Sequence, residues 1–100
     1  MNEKIIEYYK SKVEIFKALS HPFRLFIIDE ISKKECCVNE LAQMIDVDIS
    51  TVSKHLTVLK NADIVCCRKE SNNIFYKIKL KCVMDFFQCC IRANCERTNK

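Results

Sequence analysis

Apolar residues return every three or four positions at the start of the chain: Ile5, Ile6, Tyr9, Val13, Phe16 and Leu19. At about 100° per residue they share one face, which predicts an amphipathic helix over residues 3–19. The "SHP" at Ser20 to Pro22 breaks that pattern and restarts it, with proline in a first-turn position that tolerates its missing N–H. A second helix, 22–33, carries Phe23, Ile27, Ile28 and Ile31, and "KKEC" ends it. A short third helix runs from Val38 or Asn39 to Ile45, with Leu41, Met44 and Ile45 turned inward. "DVD" (Asp46 to Asp48) is a turn, and Asp48 is a good N-cap for a fourth helix over 49–61.

Past Asn61 the period shortens to that of a strand. Residues 64–69 and 74–80 read as two strands joined by "ESNN", the second with Ile74, Tyr76, Ile78 and Leu80 alternating with Phe75, Lys77 and Lys79. Asn72 and Asn73 suit the left-handed turn conformation that glycine usually supplies. A last helix over 82–95 closes the chain. The order is α-α-α-α-β-β-α: mainly α with a β-hairpin wing, a single winged helix-turn-helix domain over residues 1–100 with its wing at 64–80.

Within "DISTVSKHLTVLKNADI", the residues Ile49, Val52, Leu56 and Leu59 form an inward stripe. Opposite them lie Ser50, Ser53, Lys54 and Thr57, with Thr51 on the flank and His55 at the edge of the stripe. Short hydroxyls and a cation at the N-terminal end of such a helix suit phosphates and base edges in a major groove. His55 reads as a packed or phosphate-touching histidine. In the wing, Arg68, Lys69 and Lys77 suit the phosphate backbone, supplying affinity rather than sequence choice.

The charge distribution agrees. Residues 1–48 carry seven basic and nine acidic groups, net −2; residues 49–81 carry seven and two, net +5. The positive field therefore lies on the fourth helix and the wing, the footprint expected for a polyanion partner such as double-stranded DNA. No apolar run reaches membrane-span length and the N-terminus lacks a signal-peptide pattern, so a cytoplasmic protein with no membrane partner is expected. The eight cysteines do not make a secreted disulfide scaffold. Such scaffolds are loop-rich, whereas this chain has no glycine, one proline and long helical periodicity. There is no C-x-x-C, no nucleophile-base-acid set and no phosphate-cradling glycine loop, so no enzyme is expected.

Three stretches, "KALSHPFRLFIIDEI", "VNELAQMIDVDISTVSKHLTVLKNADIV" and "NNIFYKIKL", resemble the ArsR/SmtB family of metal-responsive repressors over about residues 13–81. The resemblance implies a homodimer joined through the first and last helices, bound to its operator without metal and released by an inducer. Two positions depart from the family pattern. Asp63 stands where a glycine follows the recognition helix, and the wing has no glycine; both are tolerable if Asp63 and an asparagine accept left-handed backbone.

The resemblance also frames the thiols. Where arsenic- and cadmium-sensing relatives carry a motif resembling E-L-C-V-C-D-L, this chain reads "ECCVNEL". Cys37 matches the first ligand, Asn39 replaces the second, and Cys36 is an extra thiol. The last helix has no histidine, so the family's aspartate–histidine site is absent and zinc, cobalt or nickel sensing is disfavoured. Sulfur remains, and thiolates favour soft ions: As(III), antimony, cadmium or cuprous copper. No obligatory cofactor is expected, with As(III) or another thiophilic ion as inducer. Cys89, Cys90 and Cys95 offer three sulfurs, although Cys90 and Cys95 differ by about 140° around a rigid helix. Cys36 and Cys37 meeting the last helix in space is a second arrangement; oxidation or sulfane-sulfur chemistry at paired thiols is a second signal. A buried, merely structural role stands beside each. Cys66 and Cys67 fall on opposite strand faces, one inward and one outward.

Overall fold

The computed structural model describes residues 2–98, with side chains described for residues 2–90. Helix α1 (Glu3–Leu19) starts at Asn2, whose side-chain oxygen accepts from the Lys4 N–H at 2.8 Å. Helix α2 (Pro22–Lys33) starts at His21, whose Nδ1 accepts from the Phe23 N–H at 3.0 Å. Proline at its first position loses no helical bond. Helix α2 buries Ile27, Ile28 and Ile31, whereas α1 buries only Ala18 and leaves Ile5, Tyr9, Val13 and Phe16 exposed.

The next element was not visible in the pattern. Cys36–Cys37 forms a two-residue strand, β1, ahead of α3 (Val38–Ile45) and α4 (Ile49–Asn61). Strands β2 (Val65–Glu70) and β3 (Asn73–Ile78) follow, then α5 (Cys82–Thr98). β1 pairs antiparallel with β3, Cys36 opposite Tyr76 and Cys37 opposite Phe75, so the expected hairpin is a three-stranded sheet in the order β1-β3-β2. Two residues are too short to show a period of two. The element order is thus α-α-β-α-α-β-β-α.

One core joins these pieces: Ile27, Ile28, Ile31, Cys36, Leu41, Val52, Leu56, Leu59, Ile64 and Val65, with Val83 from α5. Val52, Leu56 and Leu59 face inward as the spacing predicts. Ile49 does not; it is 53% exposed. It shares their azimuth but occupies the first position of α4, beside a shallow depression lined by Ala42, Gln43 and Val47. Met44 is likewise exposed rather than turned inward. Leu41 and Ala42 supply the buried surface of α3.

Among the described residues, three adopt left-handed backbone. Asp46 (φ 63°) ends α3, and Asp63 (φ 60°) follows α4, taking the position the sequence assigned to a glycine substitute. In the wing the third is Ser71 (φ 56°), not Asn72 or Asn73. Glu70 pairs with Asn73, so the loop holds two residues, and positive φ at the first alone is the pattern of a type II′ hairpin.

Candidate nucleic-acid interface

Helices α3 and α4, joined by Asp46–Asp48, form the helix-turn-helix. With Val52, Leu56 and Leu59 fixed in the core, the opposite face of α4 is committed to solvent. Ser50, Lys54 and Thr57 are exposed there, and Thr51 and Ser53 are half-buried. The hydroxyls are already oriented. Asp48 accepts from Ser50 Oγ and from Thr51 Oγ1, the latter at 2.5 Å. Those two bonds hold the Asp48 carboxyl below its ordinary pKa. Thr57 Oγ1 donates to the Ser53 carbonyl at 2.9 Å. Each of these hydroxyls therefore presents lone pairs outward, while Lys54 supplies a cation.

His55 is not part of that outward set. Its Nδ1 accepts from Arg24 Nε at 3.1 Å, and its ring lies 4.4 Å from His21 and 5.6 Å from Phe23, centroid to centroid. Burial, then the neighbouring His21 and Arg24, push its pKa below the ordinary 6.5. Of the two readings the sequence allowed for His55, packed or phosphate-touching, its contacts are those of a packed histidine. Arg24 itself, 31 residues away, carried no local signal for this contact.

In the wing, Arg68 is committed elsewhere. Its Nε donates to Glu35 Oε1 at 2.6 Å, a terminal nitrogen donates to Glu70 Oε2 at 2.5 Å, and the guanidinium sits 5.1 Å above the Phe75 ring. Two carboxylates offset one guanidinium, so Arg68 is a brace rather than an open phosphate contact. Lys69 and Lys77 are exposed and make no ion pair among the described residues. Lys69 pairs across the ladder with Ile74, and Lys77 with Cys66, so the two lysines lie on opposite faces of the wing.

The thiols divide by environment. Cys36 is fully buried, its Sγ donates to the Lys34 carbonyl at 3.3 Å, and burial pushes its pKa up. It is a core residue, in a setting that disfavours the thiolate a soft ion would bind. Cys37 is half-buried at the start of α3, where its N–H donates to Glu40 Oε1 at 3.1 Å. Cys66 and Cys67 are both half-buried rather than split between core and solvent. Cys82, Cys89 and Cys90 are exposed on α5. Cys90 lines a cavity of about 270 Å³ between α1, α2 and α5, with Phe16, Leu19, Phe86 and Phe87 among its walls. The side chain of Cys95 lies outside the described residues. Among those described, no three His, Cys, Asp or Glu side chains are grouped to hold a metal. Among the described residues, Cys36 and Cys37 join no such group with Cys82, Cys89 or Cys90.

Comparison with known proteins supplies the context. The model of the family described as "Bacterial regulatory protein, arsR family" matches residues 21–66, from the N-cap of α2 into β2. The HTH-type transcriptional regulator MJ1325 of Methanocaldococcus jannaschii is 38% identical over 74 residues, covering 73% of this chain and 83% of that one. The transcriptional repressor SmtB homolog of Synechocystis is 32% identical, covering 75% and 57%. Among solved structures, reduced HlyU of Vibrio cholerae superposes with a TM-score of 0.80 at 26% identity, covering 94% and 99%. The first curated relatives it matches are longer proteins, of which the chain covers between 52% and 62%. Among the described residues, no helix is long and apolar enough to cross a membrane.

Proposed function

The chain belongs to the ArsR family of bacterial regulatory proteins, and from that premise we propose that it is a homodimeric repressor that binds operator DNA and is released when a soft metal(loid), arsenite first, loads its C-terminal thiols. The observation that carries the DNA-binding part is the division of α4. Its apolar side is locked into the core, and its polar side offers Ser50, Lys54 and Thr57 to solvent beside a wing bearing Lys69 and Lys77. Lys54 and the wing lysines attract phosphate, and the acceptor face of the hydroxyls suits base amino groups. The uncovered apolar side of α1 is the surface a second copy would bury.

The inducer part rests on exposure. Cys89 and Cys90 are exposed free thiols on α5, which contacts α2 and whose Phe86 ring packs edge-on against Phe16 of α1 at 6.3 Å. As(III) takes three sulfurs, so Cys89 and Cys90 need a third, from Cys95 with local unwinding of α5 or from the second protomer. Either route would disturb the helix pair that holds the dimer. A redox signal is the second reading. It draws on Cys89 and Cys90 being exposed and free, and on a similar solved protein, HlyU, being described in its reduced form.

The test is fluorescence anisotropy of fully reduced protein on labelled DNA from upstream of its own gene, kept anaerobic. Release by near-stoichiometric arsenite, lost in Cys89→Ser or Cys90→Ser while DNA binding persists, supports the metalloid reading. Release by a polysulfide or oxidant and reversal by dithiothreitol, with no arsenite response, replaces it with the redox reading. Absence of DNA binding by reduced protein overturns both.

A further inference from the structure

Arg24 belongs neither to the outward face of α4 nor to the wing, yet its guanidinium ties three segments together. Nε donates to His55 Nδ1 on α4, and one terminal nitrogen donates to the carbonyls of Lys17 and Ala18, each at 3.3 Å. Those carbonyls lie at the C-terminal end of α1, the negative end of the helix dipole, where a cation is favoured. A guanidinium presents its donors in a fixed fork, so the three bonds set an angle as well as a distance. His55 accepts at Nδ1, which fixes its proton on Nε2. The rings of His21 and Phe23 pack against that of His55 and against each other, His21 to Phe23 at 5.2 Å.

We infer that Arg24 positions the recognition helix α4 against α1 and so sets the separation of the two recognition helices in the dimer. This rests on the operator-binding dimer proposed above, with α1 in the dimer interface. Arg24 is a positioning residue, acting on DNA only through α4. A dimer reads half-sites at a fixed separation, and one added base pair moves a half-site by about 3.4 Å and turns it by about 34°. A rigid α1–α4 joint rejects that displacement; a loosened one accommodates it.

The experiment measures anisotropy on the operator mapped upstream of the protein's own gene, and on versions with one base pair inserted or removed at its centre. Wild-type protein should lose at least tenfold in affinity on either altered operator. Arg24→Gln and His55→Phe should bind the unaltered operator more weakly but lose threefold or less on the altered ones. His55→Gln, whose amide oxygen can accept from Arg24, should keep the wild-type spacing profile. Should Arg24→Gln fail to fold, His55→Phe carries the same comparison. A full tenfold spacing penalty retained in His55→Phe and Arg24→Gln overturns the inference, as does a wild type indifferent to spacing. A wild type that binds no operator overturns the repressor reading instead, so the two failures are distinct.

Discussion

Arg68 Nε lies 2.6 Å from Glu35 Oε1, a residue 33 positions earlier, and the pair fastens the wing to the segment ahead of β1. Together with Glu70 it occupies the guanidinium that the sequence offered to DNA. Lys69 and Lys77 are then the wing's open cations. Replacing either by alanine should lower the slope of log affinity against log salt by about 1, with affinity falling on all sequences alike. Arg68→Ala should change that slope less than either lysine substitution, and Glu35→Gln should strengthen binding at low salt. As the pair is exposed and screened by solvent, either change should alter stability little. Salt titrations of the four variants check this ordering, and equal slopes for Arg68→Ala and Lys77→Ala would refute it.

The core stripe of α4 makes a second contrast. Leu56 is fully buried, so Leu56→Ala should cost about 2–5 kcal/mol. Ile49 has the same azimuth but is 53% exposed, and Ile49→Ala should cost under about 1 kcal/mol. Urea unfolding midpoints of the two variants separate these outcomes. Similar losses at both sites would mean that Ile49 is covered in the folded molecule.

How much of this was legible beforehand follows from the range of each interaction. The five helices and the hairpin follow from periodicity, because burial of one face repeats along the chain. β1 does not, since two residues carry no period and gain their ladder only from Tyr76 and Phe75, some forty positions on. The outward hydroxyls of α4 were readable from azimuth. The withdrawal of His55 and Arg68 was not, because Arg24 and Glu35 reach them through the tertiary fold. Ser71 in place of an asparagine shows the same limit locally: composition names the residues able to turn, whereas strand pairing decides which one does.

Thiol reactivity should follow burial. Native-state alkylation read by mass spectrometry should label Cys82, Cys89 and Cys90 first and Cys36 last, because Cys36 is buried and its thiolate disfavoured. Cys36→Ser should lower stability by about 1–3 kcal/mol by placing a hydroxyl in an apolar setting, and leave the inducer response intact. Early labelling of Cys36 under native conditions would contradict its place in the core.

The pH dependence has a definite sign. His55 is held below its ordinary 6.5 in the fold, so the unfolded chain takes up the proton first. The stability contribution is full above 6.5 and is lost as pH falls from there toward the folded value. Glu40 and Asp48 have depressed carboxyl pKa values, so their contributions are lost in the same direction but only below 4.5 and 3.8. Between pH 7.5 and 5.5 the decline assigned to His55 should therefore appear alone among these three. Chemical denaturation at both values should show the loss in wild type and a flatter profile in His55→Gln. Identical declines in the two proteins would remove His55 as the cause.

The last prediction concerns α1, whose apolar residues the single protomer leaves uncovered. Phe16 is 61% exposed, and its ring meets Phe86 of α5 edge-on at 6.3 Å. A protein that stayed monomeric would gain little from this stripe, since Ala18 is the one residue of α1 buried in the core. A second copy would remove it from water, at about 25 cal/mol for each Å² of apolar area covered. If the proposed dimer forms through α1, Phe16→Asp should spare the core and leave the protein monomeric. Sedimentation velocity reads the mass, and circular dichroism verifies that the helices persist. DNA affinity should fall in parallel, because two half-sites held by separate monomers lose the gain from being linked. If Phe16→Asp still sediments as a dimer and binds operator as wild type does, the two copies meet elsewhere, and α1 cannot be the helix through which a change at Cys89 and Cys90 reaches α4.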